Sequence, residues 1–157
     1  MSDLILPSAT VGWPDFTDPP TPRVDQELFK KYCFWAARET ASEIKQAVLH
    51  EAFSNHVRIV IENANGLFQA LCNKFHPFVA FSKGIHQNND GEYDFVDISE
   101  FERIFSLTGE YRVWTVAELL EKPTEERLSK LQKWERKEIK MNRPRCLGAI
   151  IFNCWDD

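Results

Sequence analysis

Cys72 and His76 stand four residues apart, a spacing that places both side chains on one face if the segment is helical. A thiol beside an imidazole is the pairing that general-base activation of a nucleophile requires, and it is also half of a zinc site. No further Cys or His pair at ligand spacing accompanies it, and Pro77 puts His76 at the very end of any helix. The pair therefore supports a small motif-poor enzyme as an alternative reading, with no metal and no cofactor assigned.

Residues 86–97 resemble part of an EF-hand calcium loop, with Gly91 at the sixth position and oxygen-bearing side chains at the third, fifth, ninth and twelfth. The first position, however, is His86 rather than Asp, and the twelfth is Asp97 rather than the bidentate Glu. Pro77 and Gly84 also lie where the entering helix should run, so Asn88-Asn89-Asp90-Gly91 is read as the turn of a β-hairpin. His50 and His56, with Glu51 and Glu62 nearby, form no HExxH or comparable pattern and receive no catalytic role. The Gly-rich phosphate loops and the GxSxG elbow are absent, which argues against the motif-rich enzyme classes.

Charge offers a different kind of candidate. The chain has a formal charge of −5, yet residues 124–145 alone hold a net +4. Arg127, Lys130, Lys133, Arg136, Lys137, Lys140, Arg143 and Arg145 supply those cations, and as one helix from Thr124 they would be spread around its circumference. The dipole of such a helix would be matched by Glu125 and Glu126 at its start and Lys140 near its end. Nucleic-acid binding through residues 127–145, with Lys133, Arg136, Lys137, Lys140, Arg143 and Arg145 as the contacting set, is thus the second alternative. Large rings near termini and strand ends anchor interfaces, which makes Trp13, Phe16, Trp114 and Trp155 the protein-interface candidates.

The elements that must position these groups follow from periodicity and punctuation. Five of the eight prolines fall within residues 1–23, which reads as an extended Pro-rich arm, although Leu4, Leu6, Trp13 and Phe16 suit packing better than solvation. A long helix is expected from Asp25 to about Phe53, free of Pro and Gly, and a strand at 56–62. A turn at 63–66 and a short helix at 67–75 follow, then strands near 78–86, 92–98 and 111–115. Ser99 with Glu102, and Thr115 with Glu118, match capping boxes. The nearly unbroken apolar run Cys146 to Trp155 reads as a central strand covered on both faces.

With 43% hydrophobic residues, 12 Phe and 5 Trp, the chain can build one core without staples. The expectation is a single α+β domain at residues 24–157. Its mixed or antiparallel sheet of about five strands is packed by a long N-terminal helix and a charged C-terminal helix. The four cysteines are expected as buried thiols, and no stretch suits a signal peptide or a membrane span, so the location expected is cytoplasmic. The leading functional expectation is a non-catalytic protein-interaction module of inhibitor, immunity or regulatory type, with a protein partner or self-association and no membrane.

Overall fold

A computed structural model describes residues 4–12, 24–51, 54–84 and 93–155. Helix α1 spans Gln26–Glu39; Asp25 caps it by accepting from the Leu28 N–H, and Phe29, Cys33, Ala36 and Ala37 form its buried stripe. The helix is half the expected length. It stops because Ala41 turns left-handed (φ 54°) and the Ser42 N–H reaches back 2.8 Å to the Ala37 carbonyl, a Schellman closure built without glycine. Strand β1 (Glu43–Val48) follows, so Ile44 and Ala47 serve a strand rather than a helix.

Strands β2 (His56–Asn63) and β3 (Gly66–Asn73) make an antiparallel hairpin, closed where Asn63 faces Gly66 at φ 117°. The helix expected at 67–75 is therefore a strand. Its residues alternate: Phe68, Ala70 and Cys72 enter one buried cluster and Leu71 the other, so both faces are covered and apolar residues show no strict period of two. Strand β4 (Phe78–Lys83) continues the antiparallel order β1-β2-β3-β4. The free edge of β4 is shared by β5 (Phe95–Val96), antiparallel at Phe81 and Ser82, and β6 (Arg112–Val113), parallel at Phe78 and Val79. The protein is thus an α+β fold around one largely antiparallel sheet.

The shorter elements carry three further corrections. Helix α2 (Ser99–Leu107) begins one residue early, with Ser99 inside it and Ile98 at the cap, so no side chain closes that end. Helix α3 (Val116–Leu119) does have the reciprocal Thr115/Glu118 box. Residues 125–131 form turns under Thr124, and helix α4 starts only at Lys133 and runs to Asn142, capped by Gln132 and Glu135. Finally, residues 147–151 are helix α5 (Leu147–Ile151) and not a strand; it is buried on every side, so its residues show no period to read.

Two cores flank the sheet. Phe29, Cys33 and Ala36 of α1 and Phe101, Ile104 and Phe105 of α2 cluster with Val57, Ile59, Ile61, Ala70, Val79 and Phe81. The other cluster joins Leu71, Phe78 and Ala80 to Trp114, Leu119, Ile139, α5, and Leu6 and Val11 from the N-terminal segment. Gly148 marks the tightest approach there: an added Cβ would lie 2.4 Å from Phe95 Cε2 and 3.2 Å from Leu119 Cβ. Gly148→Ala is expected to cost about 1–3 kcal/mol through overpacking, read as a lower urea midpoint with an unchanged slope. A midpoint equal to the parent's would show that the Phe95 ring yields freely.

Candidate functional site

The polar residues with chemical potential are gathered under the N-terminal segment, and each is engaged there. Asn55, just before β2, donates to the Thr10 and Ile150 carbonyls at 2.9 and 3.1 Å, and its Oδ1 accepts from Asn153 N–H and His56. Asn73, closing β3, also donates to the Thr10 carbonyl and to that of Ile151, while its Oδ1 accepts from the N–H groups of Phe75 and His76. Asn153 donates to the carbonyls of Val11 and Ile150. Three amide side chains thus satisfy backbone groups of the N-terminal segment, of the turn after β3 and of the C-terminal end of α5 that no ladder or helical bond pairs.

Glu135 completes this clamp from α4. Its carboxylate is fully buried and accepts from Ala9 N–H (2.9 Å), Val11 N–H (3.0 Å) and Gln132 N–H (3.0 Å). Burial pushes its pKa above the ordinary carboxyl value, and the three backbone N–H groups pull the other way. Ala9 between two of these bonds sits at φ 75°, a left-handed conformation that costs a non-glycine residue about 1–2 kcal/mol and is held by the clamp.

His56 is buried with both ring nitrogens in use. Asn55 Oδ1 can only accept, so Nδ1 carries the proton, and Nε2 then accepts from the Tyr93 hydroxyl at 2.7 Å. Burial, aided by the charges of Arg58 and Lys74, lowers the His56 pKa to about 3. A neutral imidazole with no free lone pair is an anchor between strand and core, not a base awaiting substrate.

Cys72 and His76 are not brought together. Cys72 lies in β3 rather than on a helix and faces the α1 and α2 core, where burial pushes its thiol pKa well up, the reverse of what a nucleophile needs. His76 lies in the turn after β3 and stacks on Phe78, which belongs to the opposite core, with Nε2 2.6 Å from the Ser8 carbonyl. Of the calcium-like segment, residues 86–92 fall outside the described residues; Asp97 accepts from Val116 N–H and so helps fix α3. Among the described residues no three His, Cys, Asp or Glu side chains converge as a metal site, and no helix is long and apolar enough to cross a membrane.

Trp13 and Phe16 lie outside the described residues. Trp114 is 1% exposed; Arg112 stacks over its ring at 3.8 Å, and its Nε1 has no partner among the described residues. Trp155 is half-buried against the same core. The surface instead displays two helical stripes, one that sequence reading missed and one whose residues it named but spread around a longer helix. On α1, Lys31, Phe34, Trp35 and Arg38 are exposed at i, i+3, i+4 and i+7, with Phe34 at 45% and Trp35 at 38%. The signal was present, but a helix assumed to run on to residue 53 gave no reason to assign its aromatic residues to an outer face.

The second stripe is on α4. Lys133, Arg136, Lys137 and Lys140 are all exposed and fall within about 100° of arc, as i, i+3, i+4 and i+7 spacing requires, and a start at Lys133 rather than Thr124 takes Arg127 and Lys130 off the helix. Arg127 and Lys130 lie in the preceding turns, while Arg143 occupies the left-handed C-cap (φ 49°) and Arg145 is exposed beyond it. Comparison with protein families, curated proteins and solved structures returned no match. The fold and these sites therefore define the class: an α+β domain with one largely antiparallel sheet, a backbone clamp of buried amides, and two exposed helical stripes.

Proposed function

We propose that this protein is a non-catalytic protein-interaction module, of regulatory or inhibitor type, whose partner docks on the outer face of α1. The exposure of Phe34 and Trp35 side by side on that helix carries the reading. Trp35 has a rigid support. Its ring lies 6.2 Å from Tyr32, which in turn packs edge-on against Tyr111 at 5.7 Å and Phe105 at 6.4 Å. The nearby Glu110 carboxylate raises the pKa of the Tyr32 hydroxyl. An exposed ring held by a buried aromatic lattice loses little freedom when it is covered, which is the property of an interface anchor.

The test uses the full chain carrying a photo-crosslinking phenylalanine analogue in place of Phe34, expressed in its native cell. A discrete cross-linked protein partner is expected, and Trp35→Ala should weaken its binding by about 30-fold or more while shifting the unfolding midpoint only slightly. If no protein is captured at that position, or if Trp35→Ala leaves affinity unchanged, the α1 face is not the docking surface.

A further inference from the structure

We infer that the α4 stripe is a binding site for the phosphodiester backbone of a nucleic-acid duplex. This site is separate from the α1 face and stands on different observations. Lys133, Arg136, Lys137 and Lys140 project from about two turns of helix, roughly 10 Å of axis, and Arg143 extends the row past the C-cap. None of these five makes an ion pair among the described residues. Arg136 alone is engaged, donating to the Ser129 carbonyl.

Helix stability does not account for the arrangement. Lys133 occupies the first helical position and Arg136 the first turn, where the helix dipole disfavours cations. The acids that could neutralise the row are turned elsewhere: Glu135 is buried on the Ala9, Val11 and Gln132 N–H groups, and Glu138 is half-buried on the flank. Glu125 and Glu126 in the preceding turns are the exposed acids closest in sequence on the N-terminal side. In a chain of net charge −5, four cations confined to one arc form a local field of the opposite sign to the whole.

The chemistry of the arc selects among polyanions. Single-strand binders interleave aromatic rings on which bases stack, and the only ring of α4, Trp134, packs against the core with its Nε1 bonded to Gln132. Protein interfaces are depleted in Lys and built around apolar anchors, whereas this arc is three Lys and one Arg, with Met141 alone at its margin. An anionic membrane surface would need an exposed apolar face, but Ile139 points into the core. What remains is a row of point charges suited to a regular line of phosphates, without base readout.

The experiment measures anisotropy of fluorescein-labelled mixed-sequence DNA and RNA duplexes with the full chain as salt is raised. If all four cations meet phosphates, the slope of log affinity against log salt should be about −3.6 on DNA, an affinity loss of about 150-fold between 50 and 200 mM. Lys137→Gln with Lys140→Gln should halve the slope, leaving a loss of about 12-fold, with the unfolding midpoint unchanged. The control pair Lys83→Gln with Arg103→Gln, exposed cations outside both stripes, should leave both slope and affinity as in the parent. Comparison of the two duplexes decides whether DNA or RNA is preferred, and binding to either with these slopes supports the site. No binding at low salt, a slope unmoved by the α4 variants, or equal affinity for a polyglutamate peptide would overturn it, the last in favour of an acidic protein segment.

Discussion

Acidification to pH 4 is expected to remove about 3 kcal/mol of stability through His56 alone, and about 5 kcal/mol in the acid limit. The folded imidazole takes a proton only near pH 3, because it is buried and has Arg58 and Lys74 nearby, whereas the unfolded side chain takes it near 6.5. Between those values the unfolded state binds more protons. The contribution is therefore complete above pH 6.5 and is lost as the pH falls towards 3. Protonation would also leave Nε2 as a donor facing the Tyr93 oxygen, so that the hydroxyl must turn away from it. Urea midpoints of the parent and of His56→Gln across this range provide the check. The variant should be less stable at pH 7 but fall less steeply with acid, and parallel curves would mean that His56 is not the titrating group.

Removal of the Glu135 carboxylate is expected to be the most damaging single change in the clamp. Glu135→Ala leaves three N–H groups, those of Ala9, Val11 and Gln132, without acceptors in a buried site, and a loss of about 3–5 kcal/mol follows. Glu135→Gln keeps the oxygen that serves Ala9 and Gln132 but turns an amide donor towards Val11 N–H, for about 1–3 kcal/mol. Hydrogen exchange should localise the damage, with protection lost first at Ala9 and Val11. An Ala variant as stable as the parent would show that water replaces the carboxylate without cost. The pH dependence of Glu135 runs opposite to that of His56: its folded pKa is raised, so its contribution is greatest when protonated and declines as the pH rises through that value.

Glu135 and three asparagines explain why the N-terminal segment belongs to the fold although nothing in it reads as regular structure. Leu6 and Val11 supply core side chains, and the intervening backbone is satisfied by Asn55, Asn73, Asn153 and Glu135 from four separate regions. No local spacing announces such a clamp, since each asparagine looks in sequence like an ordinary turn residue.

What the sequence determined by itself was the α+β class, strands within the expected ranges 56–62, 78–86, 92–98 and 111–115, the last three found shorter as β4, β5 and β6, and the Thr115/Glu118 cap, because alternation and capping are local signals. Tertiary structure decided the rest. The break at Ala41 uses a non-glycine left-handed residue, and β3 and α5 are buried on every side, so neither a stop signal nor a period existed to be read. The start of α4 was decided in the same way. Thr124 and Gln132 could each open a helix, and the burial of Glu135 under the N-terminal segment selects Gln132, so Arg127 and Lys130 leave the helix and the cations that remain on it share one stripe.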